Sequence, residues 1–434
     1  MSDASIPALL GGPKINPDRP FQFNSAIGEE EARAVQQVIA SKELSGFIAS
    51  PGEPFWGGPK VRELQDMMKD YFGVAHAVAV NSATSALHCA MMACGLGPGD
   101  EVITSPYTMS ATSTTVLLTG AVPVFADIED RTFGIDPASV EANITPQTKA
   151  ICAVNIFGHA ARLSELRRIA DRHGLYLIED NSQAPDAIHQ GQQTGTVGDI
   201  GIFSFNRHKV MQSGEGGVLI MKDSALYQKA ALFRNHGEAV VDAMGIEDIV
   251  NTAGLNLRMT EMEAAVAVEQ FKKLPRLNAE RIELAEALTE ALSDIPAIVP
   301  PAVEPGDRHV FYMYAMKFDE AAAGMSRNLF AEAMLAEGLF VRAGYLRPTY
   351  LEPMYQKKIC LGPSGFPFTA NPRNENLSYA PGLCPTCERL QDKELMITAV
   401  MQPPQTVEDM KRWAAGARKV LAARDDLVSR SQHA

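Results

Sequence analysis

The sequence has no apolar run long enough to cross a membrane. Its longest apolar segments, at residues 75–80 and 201–205, are far shorter than the roughly 18 consecutive residues of a membrane-spanning helix. The first residues, MSDASIPALLGGPK, show neither the basic stretch nor the apolar core of a secretory signal. We therefore expect a cytoplasmic protein without a membrane segment.

Positive charge and cysteine are also scarce. Lysine and arginine total 39 against 52 acidic residues, a formal net charge of −13, and clustered cations are what nucleic-acid binding requires, so no nucleic-acid partner is expected. The six cysteines lie mostly among apolar neighbours, as reduced core thiols do. Cys384 and Cys387 form CPTC, which is half of a zinc or redox motif, but no second CxxC accompanies it, so we expect no metal.

The chain has the composition for a large core, with 434 residues of which 46% are hydrophobic. From residue 75 onward, short apolar runs alternate with helical periodicity, which predicts an α/β fold with a mostly parallel, buried sheet. Residues 82–96 and 162–174 are predicted helices, the second ended by Gly174. Seven strands are predicted, near Ala77, Val102, Val122, Ile151, Leu177, Ile202 and Val218.

The pattern changes after residue 275, where we place a domain boundary at Pro275. Residues 1–24 are predicted to be an N-terminal arm, 25–275 a large α/β domain and 276–434 a small α+β domain. The small domain should contain strands at FYMYAMKF and LFVRAGY and a helix at RNLFAEAMLAEG, after a linker or long loop at residues 296–309. The last nine residues, DLVSRSQHA, are predicted to fray.

NSATSALH places small polar residues between a strand end and a helix start. The free backbone N–H groups of Ala83 and Thr84 and the helix dipole would attract an anion such as a phosphate. A Ser or Thr in this place is more often only a helix cap. The segment is therefore a phosphate site only in combination with other signals.

LYLIED ends a strand on Asp180, and Gln183 follows three residues later. A carboxylate there can pair with the protonated nitrogen of a pyridine ring, while the amide reaches the ring's hydroxyl group. A carboxylate at a strand end can equally cap a helix or bind a metal. Asp180 alone is therefore ambiguous.

Lys209 lies in SFNRHKVMQSGEGG, where a strand runs into a glycine-rich turn. A lysine there can hold a carbonyl compound as a Schiff base, provided that burial and neighbouring cations such as Arg207 and His208 lower the pKa of its amine. The alternative is an exposed loop lysine. With Asp180 upstream, the sequence predicts a pyridoxal phosphate enzyme.

Several segments together resemble the DegT/StrS sugar aminotransferases of fold type I: NSATSALH, SPYTMSAT, PVFADI, IEDNSQAPDA, SFNRHKVMQSGEGG, GLNLRMTEMEAA and CPTCERLQDKEL. The resemblance runs from the region of Gly57 to Arg418. It implies that Lys209 is the internal aldimine lysine and general base, that Asp180 pairs with the ring nitrogen and that Gln183 contacts the ring hydroxyl. Ser204 and the backbone of Ala83 and Thr84 would hold the phosphate of pyridoxal 5'-phosphate.

The same resemblance implies a homodimer with shared active sites, because Asn256 in GLNLRM would reach the phosphate bound by the neighbouring subunit. The apolar face formed by Met262, Ala265 and Val266 is predicted to pack against that partner. Two positions depart from the family. Ala83 replaces a glycine, and Met109 replaces the aromatic residue that stacks on the cofactor ring, so either the thioether packs there or Tyr107 does.

The implied reaction moves an amino group from glutamate or glutamine to a keto sugar, usually linked to a nucleotide whose diphosphate needs cations. Arg342, Arg347 and Lys60 are surface-loop candidates for those cations, but such residues are more often only solvated surface, so none of them is assigned to the site. A ketocyclitol such as an inosose is the alternative acceptor, because the ALLGGP opening and ERLQDKEL resemble cyclitol members. A sugar 3-dehydratase and a regulatory homologue are further alternatives. In the dehydratases a histidine replaces the lysine, so Lys209 favours transamination.

Overall fold

The computed structural model describes residues 5–17, 21, 26–237, 240–244, 250–371, 374 and 377–433. The strands of the first half of the chain are β1 (His76–Val80), β2 (Glu101–Thr104), β3 (Val122–Phe125), β4 (Thr148–Val154), β5 (Tyr176–Asp180), β6 (Ile188–His189), β7 (Gln192–Gln193), β8 (Ile200–Ser204) and β9 (Gly217–Met221). Seven of them form one sheet in the order β1-β9-β8-β5-β4-β2-β3, and β6 and β7 form a separate hairpin.

The sheet is mostly parallel. β3, β2, β4, β5 and β8 run in the same direction, while β9 is antiparallel to its neighbours β8 and β1. All seven predicted strands are present, which confirms the predicted sheet. Residues alternate between two buried layers, so that Val218 and Ile220 of β9 face one layer and Leu219 and Met221 the other.

Helices cover both faces of this sheet. Those up to residue 291 are Glu29–Ser41, Pro59–Phe72, Ala83–Ala93, Ala111–Leu118, Pro137–Ala142, Leu163–His173, Ser224–Arg234, Val241–Met244 and Glu261–Ala291. The two predicted helices are confirmed, and Gly174 ends the second of them with a φ of 63°, a conformation that favours glycine.

The rest of the chain forms a small antiparallel sheet packed with helices. Its strands are β10 (Ile298–Val299), β11 (Tyr314–Phe318), β12 (Arg342–Ala343) and β13 (Leu395–Thr398), in the order β10-β11-β13-β12. The helices are Glu320–Ala323, Arg327–Ala336, Pro353–Gln356, Pro385–Arg389, Val407–Ala422 and Arg424–His433. The sequence had indicated β11, β12 and the helix at 327–336, but not β10 or β13.

The last helix corrects the prediction of a frayed tail. Residues 424–433 are helical because Leu427 is fully buried in the core of the small sheet and its helices. Pro275 lies inside the continuous helix Glu261–Ala291. The domain division at that residue stays a prediction, and its boundary falls within a helix.

The described part of the N-terminal arm packs against the small sheet's helices. The buried carboxylate of Glu337 accepts hydrogen bonds from the backbone N–H groups of Ala8 (2.7 Å) and Ile15 (2.8 Å). Lys419 adds an ion pair to the same carboxylate at 3.0 Å. The arm is therefore tied to the C-terminal part of the chain by an acidic side chain.

Candidate active site

One cavity lies where the predicted functional residues meet. β5 and β8 are parallel neighbours and end at Asp180 and Ser204, so both side chains lie at the same edge of the sheet. The cavity there is lined by Ser82, Ala83, Thr84, Leu87, Thr108, Met109, Ala111, Asp180, Ser182, Gln183, Ser204, Asn206, His208, Lys209, Glu215, Tyr312 and Tyr345. The structure brings Lys209, Asp180, Gln183, Ser204, Ala83, Thr84 and Met109 together, whereas Asn256, the alternative stacking residue Tyr107 and the three candidate cations do not line this cavity.

The helix at Ala83–Ala93 opens onto this cavity. The Ser82 hydroxyl caps the helix by accepting from the N–H of Ser85 at 3.1 Å, which leaves the N–H groups of Ala83 and Thr84 without an intrahelical acceptor. Gly217 makes this arrangement possible, since a Cβ there would lie 2.6 Å from the Ala83 nitrogen. The glycines after Lys209 thus permit the predicted close backbone approach.

Asp180 is buried and held by two donors. The Thr112 hydroxyl donates to Oδ2 at 2.9 Å, and the Ser182 N–H donates to Oδ1 at 3.2 Å. Each carboxylate oxygen therefore has one protein partner, which fixes the plane of the carboxylate. The described residues around it supply no metal-binding cluster.

Gln183 has a defined amide orientation. Its Oε1 accepts from the backbone N–H of Phe157 at 2.9 Å, and its Nε2 donates to the hydroxyl of Tyr345 at 3.3 Å. The N–H of Phe157 needs an acceptor, so it must face the amide oxygen of Gln183. The NH₂ group of Gln183 therefore points away from Phe157. One of its two hydrogens remains for a ligand oxygen.

Lys209 lies in the cavity with an altered pKa. Burial lowers the pKa of its amine to about 8, and the negative charge of Asp180 opposes this shift. Burial, one of the two predicted causes, therefore lowers this pKa, whereas Arg207 and His208, the predicted neighbouring cations, are not among its causes. The pKa of His208 is itself lowered by burial and by the positive charges of Lys209 and Arg207. A larger fraction of the Lys209 amine is therefore neutral, and nucleophilic, at neutral pH than in an exposed lysine.

The two candidates for stacking on a ring differ in position. Met109 lines the cavity and is 58% exposed. Tyr107 is fully buried outside the cavity lining, where its hydroxyl donates to Oε1 of Gln391 at 2.7 Å. Tyr107 is therefore not placed to stack on a ligand, and Met109 remains the candidate.

Asn256 lies outside the cavity of its own chain, exposed, and forms a backbone bridge with Asn235. The helix after it is covered from within the same chain, because Met262 and Ala265 pack against Ala34 and Val38. The prediction that this face packs against a partner was therefore wrong for Ala265, which is fully buried within its own chain, and stays a prediction for Met262 and Val266, which are partly exposed.

Sequence reasoning missed Thr112, Tyr312 and Tyr345. Thr112 lies within the segment SPYTMSAT, in which the family resemblance points to the stacking position and not to Thr112. The two tyrosines belong to the part of the chain after residue 275, and no local pattern links them to Lys209. They reach the cavity only through the packing of the small sheet against the large one.

The remaining predictions concern the CPTC cysteines, a membrane span and the candidate surface cations. Cys384 and Cys387 are buried free thiols whose pKa values are raised by burial. No described helix is both long and apolar enough to cross a membrane. Lys60 is ion-paired with Glu63 at 2.7 Å, whereas Arg342 and Arg347 are exposed and form no ion pair with any described residue.

The residues present fit pyridoxal phosphate. The cavity offers free backbone N–H groups for a phosphate, a carboxylate for a protonated ring nitrogen, an amide N–H for a ring oxygen and a primary amine for an aldehyde. These four groups are what recognition and attachment of that cofactor require.

Comparison with known proteins agrees with this geometry. The model of the DegT/DnrJ/EryC1/StrS aminotransferase family matches residues 26–391. The chain belongs to this family. Family members are pyridoxal phosphate-dependent aminotransferases, so the predicted enzyme class is confirmed.

Family relatives with known roles share much of the chain. The spore coat polysaccharide biosynthesis protein SpsC of Bacillus subtilis is 36% identical over 308 residues, which are 70% of this chain and 76% of SpsC. An L-glutamine:2-deoxy-scyllo-inosose aminotransferase of Streptoalloteichus tenebrarius is 41% identical over 61% of this chain, and the match spans 64% of that protein.

A solved structure of the family has the same overall fold. DesI, crystallised in the presence of its TDP-sugar product, superposes with a TM-score of 0.82 at 27% identity and covers 99% of this chain and 100% of its own. The predicted fold type I architecture is thus confirmed for this family member.

Proposed function

We propose that this aminotransferase moves an amino group from glutamate or glutamine to a keto sugar, and that the sugar is carried on a nucleotide. The observation that carries the proposal is the placement of the Lys209 amine beside Asp180 in one cavity with the free helix N–H groups. Arg342 and Arg347 precede and follow the cavity residue Tyr345 in the chain and are exposed, so they are the candidate cations for an anionic acceptor, although neither lines the cavity.

In this proposal the chain's residues hold the cofactor and handle protons. The N–H groups of Ala83 and Thr84 and the hydroxyl of Ser204 would bind its phosphate, Asp180 would pair with its ring nitrogen, and Gln183 would donate to its ring oxygen. Met109 would be the residue that packs on the ring. Bound pyridoxal phosphate supplies an aldehyde for the amino group and a ring that withdraws electrons from the substrate carbon.

Lys209 would perform the proton transfers. Its Nζ is the basic atom in the cavity, and a pKa of about 8 keeps part of the amine neutral near pH 7. A base poised near the working pH both takes and returns a proton readily. An intact lysine here also speaks against the dehydratase alternative.

A ketocyclitol is a second candidate acceptor. It is supported by the 41% identity to proteins named as L-glutamine:2-deoxy-scyllo-inosose aminotransferases, from Streptoalloteichus tenebrarius and Streptomyces kanamyceticus. Such an acceptor carries no diphosphate and would not need Arg342 or Arg347.

We also propose a homodimer in which each subunit lends Asn256 to the cofactor phosphate of the other. Asn256 is exposed and outside its own cavity, and the neighbouring Leu255 is an exposed apolar side chain. Both features suit a residue that is covered by a partner.

The cofactor assignment is tested by spectroscopy of the purified protein. The parent should show the visible absorption of pyridoxal phosphate joined to a lysine, Lys209→Ala should lose it, and Lys222→Ala should keep it. Lys222 is a suitable control because it follows β9, outside the cavity lining, and its amine donates to the carbonyl of Thr196. An unchanged spectrum in Lys209→Ala would refute the assignment.

The acceptor is tested by mass spectrometry. Protein first incubated with glutamate or glutamine is offered TDP-linked keto sugars and, separately, 2-deoxy-scyllo-inosose. Amination of the nucleotide-linked sugars alone supports the first candidate. Amination of the cyclitol alone supports the second, and Arg342→Gln should then leave the rate unchanged.

A further inference from the structure

The ring of Tyr312 lies over the amine of Lys209. The distance from Nζ to the ring centroid is 4.9 Å, and both residues line the same cavity. Tyr312 is buried, with 5% of its surface exposed. A cation within about 6 Å of an aromatic face is attracted by the negative charge of that face.

Backbone contacts fix the position of Tyr312. On either side of it, the N–H of Val310 donates to the carbonyl of Gly158 at 2.9 Å, and the N–H of Met313 donates to the carbonyl of Phe157 at 3.0 Å. Gly158 has a φ of 102°, and a Cβ there would lie 2.7 Å from the nitrogen of Tyr312. These bonds use main-chain atoms, so they do not depend on the side chain at position 312.

Other charged and titratable groups around the amine act in different ways. Asp180 favours the ammonium form of Lys209, and burial disfavours it. His208 and Arg207 adjoin it in the chain, and the pKa of His208 is lowered by burial.

Glu215 lines the same cavity as Lys209. Arg281 and Tyr345 act electrostatically on the hydroxyl of Tyr312. Burial has the largest effect and raises the pKa of that hydroxyl. The ring of Tyr312 is therefore neutral and acts on Lys209 through its face.

We propose that Tyr312 is a positioning residue whose ring face stabilises the ammonium form of Lys209 and directs its Nζ into the cavity. The inference rests on the proposed function, because it matters for catalysis only if Lys209 carries the cofactor and its protons. The ring would let the buried amine accept a proton and hold it until it is returned.

The test compares Tyr312→Leu with Tyr312→Phe, which keeps the aromatic face and removes only the hydroxyl. Full-length proteins are freed of cofactor with hydroxylamine, and folding is checked by circular dichroism. The rate at which acetic anhydride modifies Lys209 is then measured across pH by mass spectrometry. The pH midpoint of Lys209 modification in Tyr312→Phe should equal that of the parent. The midpoint in Tyr312→Leu should be lower by about 0.5 to 1.5 pH units.

A second readout uses the cofactor-loaded proteins. The pH profile of their reaction with glutamate or glutamine should move in the same direction in Tyr312→Leu and stay in place in Tyr312→Phe. If Tyr312→Leu does not fold, Tyr312→Met replaces it. An unshifted titration in the variant without a ring, or an equal shift in Tyr312→Phe, would overturn the proposal.

Failure of the proposed function has a different signature. A parent protein that never acquires the visible absorption of a lysine-bound cofactor rejects that function. The acetylation midpoints would still differ between the ring-bearing and ring-free variants if Tyr312 acts on the amine as inferred.

Discussion

The hydroxyl of Thr112 donates a hydrogen bond of 2.9 Å to Oδ2 of Asp180. Thr112 is in the helix Ala111–Leu118, whereas Asp180 ends β5, so the bond joins two elements that are distant in the chain. Among the described residues, the second donor to this carboxylate is the N–H of Ser182, on the other oxygen. The bond from Thr112 therefore helps to fix the orientation of the Asp180 carboxylate.

We predict that Thr112→Val impairs the reaction with the amino donor by about tenfold to a hundredfold, because a hydrogen bond to a buried charge contributes about 1.5–3 kcal/mol. Valine keeps the shape of threonine and loses only the hydroxyl. Thr112→Ser, which keeps the hydroxyl, should stay within a few-fold of the parent. Stopped-flow absorbance with glutamate or glutamine measures both, and equal rates in all three proteins would show that the bond does not matter.

The pH dependence of Lys209 gives a second prediction. Burial lowers the pKa of its amine to about 8 and Asp180 raises it, and only the neutral amine, which dominates above that pKa, attacks an aldehyde. Capture of pyridoxal phosphate by cofactor-free protein should therefore accelerate as pH rises and level off above about pH 8.

Removal of the opposing charge should move this midpoint downward. Asp180→Asn is expected to shift it to lower pH, since the carboxylate favours the ammonium form. Arg207→Gln should leave the midpoint in place, because burial rather than that cation sets the amine's pKa. A midpoint that follows Arg207 and ignores Asp180 would contradict this explanation.

Much of the large sheet was predictable because its strands are buried on both faces. In LYLIED, for example, an apolar run leads directly into the two carboxylates at the end of the strand. That pattern located Asp180, and a cap followed by helical periodicity located Ser82. Both signals are local, so a single sequence carries them.

Long-range features were not predictable in the same way. Tyr312 reaches Lys209 because the backbones of its neighbours Val310 and Met313 bond to Gly158 and Phe157, a pairing that depends on the packing of one sheet against another. Pro275 suggested a break, yet the helix continues because both its halves are packed, through Phe271 and Leu274 on one side and Leu284 and Leu288 on the other. Tertiary packing there outweighs the local preference of proline.

The buried Glu337 gives a prediction about stability. Glu337→Leu would leave the N–H groups of Ala8 and Ile15 and the Lys419 ammonium without their shared acceptor. Removing one partner of a buried ion pair typically costs about 3–5 kcal/mol, so we expect a loss of that size in urea unfolding. Faster cleavage by trypsin at Lys14 would show release of the arm.

Glu332→Gln is the control for that experiment. It lies on the helix Arg327–Ala336, which Glu337 directly follows, but is exposed, and surface changes of this kind usually alter stability by less than about 0.5 kcal/mol. Equal unfolding curves for Glu337→Leu and the parent would show that the carboxylate does not secure the arm.

The shared active site gives the last prediction, which uses subunit exchange. Lys209→Ala lacks the amine, and Asn256→Ala lacks the side chain proposed to reach the partner's cofactor phosphate, so each homodimer should be impaired. A mixed dimer has one site that joins an intact Lys209 to an intact Asn256, and random pairing makes about one site in four complete. Activity should therefore rise after mixing under conditions that exchange subunits.

The control is a mixture of Lys209→Ala with the double variant Lys209→Ala/Asn256→Ala, in which no pairing yields a complete site. It should stay inactive, while exchange itself is followed by native mass spectrometry of differently tagged chains. Recovery only in the first mixture requires that one subunit completes the site of the other. Absence of recovery despite measured exchange, or full activity of a monomer in sedimentation, would place Asn256 outside the partner's site, and its exposed position beside Leu255 would then need another explanation.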